Sequence, residues 1–235
     1  MNEITAAVGR AVELLLAFDP ALVEIVVRSL YVSLSAVALA AVIGLPLGAV
    51  LALARFPGRR GVLVVVNALM GLPPVVAGLV LYLLLSRSGP FGVFGLLFTP
   101  AAMILVQAVL VTPIITALTR QTLEDLWSEY RDQLRSLGAS PVRAVPTLLW
   151  DGRVSLFTAL LAGFGRAGAE VGAVMIVGGN IDHVTRVMTT TIALETARGD
   201  LPLALALGIV LLLMALAVNV VGFLAQERAA RRQNV

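Results

Sequence analysis

The chain has 235 residues, of which 59% are hydrophobic and 13% charged, against about 25% charged in an ordinary soluble domain; its mean hydropathy is +0.98. The apolar residues gather in runs too long for a water-soluble core, and a net charge of +3, with no basic cluster interleaved with aromatics, excludes a nucleic-acid partner. There is no Cys and no Lys, and His occurs once, so disulfides, thiolate chemistry, a G-x-x-x-x-G-K-[ST] nucleotide loop and an H-E-x-x-H zinc helix are all excluded.

Residues 4–18 place Ile4, Val8, Val12, Leu15 and Leu16 at helical spacing. Glu3, Arg10 and Glu13 leave the run too short to cross a bilayer, so an interfacial helix is expected there. The N-terminus is neither basic nor followed by a small-residue cleavage site, and it is not read as a cleaved signal peptide. Asp19-Pro20 marks a turn and the start of a second helical segment, which completes an N-terminal region 1–28.

Five runs reach the roughly 20 apolar residues that cross a hydrocarbon core: 29–54, 61–86, 99–119, 154–177 and 201–225. Together they define an all-α transmembrane domain over 29–225, followed by a tail, 226–235. Four runs contain no ionisable Asp, Glu, Lys or Arg, as expected when every face meets lipid or another helix. The first carries G-L-P at Gly44 to Pro46 and the second G-L-P-P at Gly71 to Pro74. Each proline removes an amide donor, so kinks and freed carbonyls are expected. Bundle packing and a pathway-lining role for Gly71, Pro73 and Pro74 both remain open.

The fourth run contains Arg166 and Glu170. On a straight helix Gly165, Gly168 and Gly172 share a stripe suited to close helix contact, while Arg166, Glu170, Ala173 and Val177 share another face. One turn apart, Arg166 and Glu170 are expected to pair, since a lone charge at that depth costs at least about 2.5 kcal/mol. The pair reads either as a structural tie or as a gate. The connection 178–200 holds Asn180, Thr185, Thr189, Thr190 and Thr191; it reads as a polar surface loop or short lid helix, or as hydroxyls and an amide along a polar path. His183 has no second ligand at metal-site spacing.

Residues 120–153 carry ten charged side chains in 34 residues. Leu123, Leu126, Trp127, Tyr130, Leu134 and Leu137 recur on one helical face. Gly138 ends that helix, and Ser140-Pro141 starts a short second one. The arginines apportion sides: Arg55, Arg59, Arg60, Arg120, Arg131, Arg135, Arg143, Arg153, Arg228, Arg231 and Arg232 on one, Arg10, Arg28, Arg87, Arg186 and Arg198 on the other. The first side, with the loop and the C-terminus, is expected in the cytoplasm, and the N-terminus outside a cell (inner) membrane.

The stretch D-Q-L-R-S-L-G, Asp132 to Gly138, resembles the E-A-A-x-x-x-G loop in membrane subunits of binding-protein-dependent ABC importers, with Asp for Glu and Gln-Leu for the two alanines. The resemblance extends from about Val27 to Ala225. G-L-P-P-V-V-A-G-L, S-R-S-G-P-F-G and A-G-F-G-R-A-G-A-E-V-G-A-V-M-I-V-G-G-N-I are most similar to tungstate permeases, with molybdate and sulfate permeases sharing the last segment. This implies a five-span type I permease core and a loop, Tyr130, Asp132, Leu134, Leu137, Gly138, Ala139 and Ser140, that docks on a separate ATPase. It also implies a homodimer of this chain, two ATPase subunits that hold ATP and Mg, and an external binding protein delivering an oxyanion. The chain itself is then expected to bind no cofactor and to catalyse nothing, with Gly71, Pro73, Pro74, Arg166, Glu170, Thr189 and Thr190 along the pathway or gate. A proton-coupled carrier, with Glu170 as the proton site, and a membrane enzyme are the competing readings; no nucleophile and base are paired for the latter.

Overall fold

The computed structural model describes residues 2–17 and 19–231, all of them helix, turn or irregular chain. Arg232 and the rest of the tail to 235 lie outside the described residues, as do the side chains of Ile4, Leu15, Arg228 and Arg231. The helices are α1 (Asn2–Leu16), α2 (Pro20–Leu53), α3 (Arg59–Met70), α4 (Pro74–Leu85), α5 (Pro100–Ser136), α6 (Pro141–Asp151), α7 (Arg153–Gly168), α8 (Gly172–Gly178), α9 (Met188–Arg198) and α10 (Leu201–Arg231). α2, α5 and α10 are each long and apolar enough to cross a membrane, and the spans number five if the bent pairs α3–α4 and α7–α8 each count as one.

Short polar caps followed by proline start the main helices. Asp19 accepts hydrogen bonds from the Ala21 and Leu22 amides ahead of Pro20, and Thr99 precedes Pro100; proline at the first turn gives up no helical hydrogen bond. The helical segment expected to start at Asp19-Pro20 does start there and runs unbroken into the first apolar run: α2 extends from Pro20 through Pro46 to Leu53. The third apolar run, 99–119, likewise passes without a break into the amphipathic segment that follows it. α5 continues to Ser136, a length of 37 residues or about 55 Å, because no Gly or Pro occurs between residues 114 and 137. A change of surrounding solvent does not by itself end a helix.

α2 and α5 form the central seam. A Cβ on Gly48 would sit 2.6 Å from Thr119 Cβ and 2.8 Å from the Thr116 carbonyl oxygen, and one on Gly44 would sit 3.0 Å from Ile115 Cγ2. Gly44 and Gly48 thus form a small-x-x-x-small contact that lets two backbones approach. On the other side of α5, Gly163 of α7 meets Val111 in the same way, and Val37, Ala40, Val111, Ile115, Phe164 and Ala167 fill this level of the core. α1 lies against α10 with Ala11 buried, while Val8, Val12 and Leu16, which carry the apolar spacing, are exposed.

Two helices are broken. Between α3 and α4 the chain bends by 102°: Gly71 and Leu72 close 3-10-type bonds to Ala68 and Leu69, and two successive prolines then offer no donor. The kink expected there is in fact a near right angle. Between α7 and α8 the bend is 63°, which overturns the straight fourth helix. A Cβ placed on Gly165 or Gly168 would meet nothing within 4 Å, and of the expected stripe only Gly172 makes a close helix contact, with Val75 of α4; Gly168 and Gly172 flank the break. Both bent pairs lead from the end of the bundle carrying α6, the hook end, to the far end, where Tyr82 meets Phe98 edge-on and the Phe98 amide bonds the Val177 carbonyl.

The seam makes a signed prediction. Gly48→Ala places a methyl where backbone and Thr119 already stand and is expected to destabilise the chain by about 1–3 kcal/mol. Gly208→Ala on α10 meets open space and is expected to leave stability unchanged or raise it by up to about 1 kcal/mol. Thermal unfolding of the two purified variants beside the parent checks the opposite signs.

Candidate functional site

The break between α7 and α8 is held by Glu170. Its carboxylate Oε2 accepts from Arg166 Nη1 at 2.7 Å, and its Oε1 accepts from the Ala173 amide at 3.0 Å, at the start of α8. Its own carbonyl accepts from Thr189 Oγ1 of α9 at 2.9 Å. The Glu170 side chain is 4% exposed and that of Arg166 33%. The negative charge is therefore met by a guanidinium on one side and by amides at a helix start on the other. Ala169 keeps right-handed backbone angles past the end of α7, which preserves the i,i+4 approach although the helix has ended.

The second break is this hinge's neighbour. A Cβ on Gly78 of α4 would lie 2.8 Å from Ala173 Cα, and one on Gly172 would lie 3.0 Å from Val75 Cγ2. α4 and α8 thus touch backbone to backbone directly after their respective breaks, so neither can swing without the other. Gly71 and Pro73 are exposed and Pro74 half-buried beside this contact. Gln107 of α5 ties in from behind, its Nε2 donating to the Ala167 carbonyl at 3.0 Å.

At the far end, α2 is clasped to the segment before α9. Arg28 donates to the His183 carbonyl at 2.7 Å and to that of Arg186 at 3.3 Å, and it pairs with Glu24. His183 Nδ1 lies 2.9 Å from Glu24 Oε2, and Arg186 pairs with Asp182 at 2.8 Å. Ser29 Oγ accepts the Met188 amide at 2.8 Å. The threonines here are fasteners: Thr190 is fully buried and exchanges hydrogen bonds with the Val187 backbone, Thr191 donates to the same carbonyl, and Thr185 donates to that of Gly178 at 2.6 Å.

The hook end carries the expected helix, turn and helix. α5 stops in paired reverse bonds, Ala139 amide to Leu134 carbonyl and Gly138 amide to Arg135 carbonyl, each 2.9 Å. Gly138 takes φ +77°, a conformation that costs glycine nothing. Ser140 then caps α6, its hydroxyl accepting from the Arg143 amide. Leu123, Ala144 and Leu148 pack with Ala49 and Leu53 of α2, and Leu126, Trp127, Tyr130 and Leu134 close around them. Arg59 pairs with Glu124 and donates to the Leu51 carbonyl, joining α2, α3 and α5. The Tyr130 phenol is held above its usual range by the Glu129 carboxylate and then by that of Asp151.

Leu137 does not share the packed face on which its spacing places it. It is 83% exposed, with Val142 at 77% and Trp150 at 69%; the glycine turn carries it past the end of the face. Asp132 is also exposed, its carboxylate 3.2 Å from Arg131 Nε. Tyr130, Leu134, Leu137, Leu148 and Trp150 line a shallow apolar groove. Trp150, Gln107 and the pairing of Gly44 with Gly48 escape sequence reasoning, although Gln107 is the only amide side chain in its apolar run and Gly44-x-x-x-Gly48 is a recognisable pattern; Val142 is legible in the sequence as an apolar position of the second short helix.

Comparison with known proteins gives this architecture a place. The family described as binding-protein-dependent transport system inner membrane component matches residues 44–235. The tungstate uptake system permease protein TupB of Peptoclostridium acidaminophilum is 41% identical over 97% of this chain and 100% of its own length. A probable anion ABC transporter permease protein of Haloferax volcanii is 41% identical over 90% of this chain and 93% of its own. TupB of Campylobacter jejuni is 40% identical over 70% and 69%; sulfate transport permeases follow at 28–30%. With broken helices meeting inside an apolar bundle and an exposed helical hook at one end, the chain belongs to the binding-protein-dependent transport system inner membrane components, the multi-pass permeases of ABC importers.

Proposed function

We propose that this chain is the translocation subunit of an ATP-driven importer that carries tungstate inward across the cell membrane. The observation that carries the mechanism is the continuity of α5, 37 residues without interruption, which joins the hook to the far end of the bundle. The substrate reading is supported by 41% identity over nearly the whole chain to a tungstate uptake permease, the sulfate permeases being more distant.

In this reading the bent pairs α3–α4 and α7–α8 each cross the bilayer once, giving five spans, with the N-terminus outside and the hook in the cytoplasm, as the arginine distribution favours. Leu137, Val142 and Trp150 are the apolar contacts for an ABC ATPase, one per permease copy, with Tyr130, Asp132, Leu134, Gly138, Ala139 and Ser140 shaping the surface around them. Two copies of this chain form the pore, and the ATPases hold ATP and Mg. An external binding protein delivers the oxyanion to the far end. ATPase closure moves the hook, α5 transmits the movement, and the touching breaks at 71–73 and 169–171 absorb it by changing their bend. Arg166 and Glu170 are paired in the closed gate and separate as it opens; Gly71, Pro73 and Pro74 border the path, and Thr189 and Thr190 fix the segment that moves with Glu170.

Three measurements test this reading. Reconstituted with its ATPase and binding protein, the chain is expected to support ATP hydrolysis stimulated by tungstate more than by molybdate or sulfate; equal stimulation by all three removes the tungstate assignment and keeps the importer class. Gly138→Asp has open space around it on this chain and costs the isolated subunit only about 1–2 kcal/mol of backbone strain, yet it is expected to abolish co-purification with the ATPase. Retained assembly and coupling would move the docking surface elsewhere. Arg166→Gln leaves the Glu170 charge buried and unmatched, a loss of about 3–5 kcal/mol for a broken buried pair. Transport is expected to fall at least about tenfold at equal expression, since about 1.4 kcal/mol at the gate suffices for that.

A further inference from the structure

Gln107 is 3% exposed and spends its amide on the hinge, yet its Oε1 is buried with no hydrogen-bond partner among the described residues. Turning the amide over does not help: Oε1 would then face the Ala167 carbonyl, and the NH2 group would be left without that acceptor. An unmatched buried carbonyl oxygen is costly in any low-dielectric interior, and more so at membrane depth. Beside Gln107 lies a cavity also lined by Ser29, Ser33, Gly168, Met188 and Thr189, which offers about 10 Å³ to the centre of a water-sized sphere. That is room for about one water molecule.

We propose that this cavity binds a single water molecule that completes the hydrogen bonding of Gln107 Oε1 and joins α2, α5 and the start of α9 to the end of α7. The lining has the required complement. Water donates one hydrogen to Gln107 Oε1 and the other to a hydroxyl oxygen that has already used its own hydrogen: Ser29 Oγ donates to the Ile25 carbonyl, and Thr189 Oγ1 to that of Glu170. Ser33, 5% exposed, supplies a hydroxyl that donates to the water oxygen. Three polar partners are what a buried water ordinarily finds. A monovalent cation is the poorer occupant, because Glu170, the carboxylate at the adjoining hinge, is already neutralised by Arg166. The water sits behind the α7–α8 break, where it can exchange partners as the bend changes without leaving any backbone group unpaired.

Methionines make the test. Met188 and Met103 are both 0% exposed; Met188 lines the cavity, together with the half-buried Met214, whereas Met103 packs against Gly178 and serves as the buried control. In X-ray radiolytic labelling of the purified full-length chain in H2(18)O, radicals formed from a bound water oxidise the side chain beside it and are insensitive to scavengers in bulk solvent. Met188 is expected to acquire 18O at least tenfold faster than Met103, and to keep doing so when a scavenger suppresses labelling of exposed Trp150. Equal protection of the two methionines overturns the proposal, as does loss of Met188 labelling in step with Trp150. In Gln107→Leu, Met188 labelling is expected to fall to the Met103 level; persistence would overturn Gln107 as the ligand. The parent comparison decides the existence of the water even where that variant fails to fold.

Discussion

A polar group freed inside hydrocarbon has to find its partner within the protein, and the arrangement around Glu170 follows from that constraint. Breaking α7 after Gly168 releases backbone groups inside an apolar bundle. One residue answers several of them: the Glu170 carboxylate takes the Ala173 amide, its own amide returns to the Ala167 carbonyl, and its carbonyl receives Thr189. The carboxylate in turn needs a cation, which Arg166 supplies from the last turn of α7. The charges are thus present because the helix is broken, and the break is tolerable because the charges are matched. A hydrophobic residue at either position would leave the other as an unmatched ion, and one at position 170 would also leave the Ala173 amide at the start of α8 without its carboxylate partner.

The same economy places the second break. α4 begins after two prolines and packs through Gly78 on the backbone of Ala173, two residues beyond the first hinge. Two bends in contact share one set of neighbours. Around them α2 and α5 pack along the Gly44–Gly48 seam, the far end is clasped through Arg28 and Ser29, and the hook end is packed around Leu123 and Leu148.

Local chemistry was legible in the sequence; contacts between segments were not. Pro73-Pro74, Gly138 and Ser140-Pro141 each act through their own backbone, and the structure has a break, a turn and a helix start where they stand. The i,i+4 pairing of Arg166 with Glu170 was also readable, and it survives the end of α7 only because Ala169 stays right-handed. The break beside it carries no proline, and the glycines that permit it had an equally good reading as a packing stripe. Nothing local marks the unbroken continuation of α5 past residue 119, since a switch from apolar to amphipathic composition looks like a helix boundary and is not one. Leu137 keeps the period of its face but sits one turn beyond the last partner that face has.

The seam between α2 and α5 falls on the turn of the long helix that proline weakens. Gly44 and Gly48 press on Thr112 to Thr119, and Pro113, inside that stretch, has no amide to return to the carbonyl one turn back. α2 therefore splints α5 where its own ladder lacks a rung, and the helix runs on to Ser136 without a break.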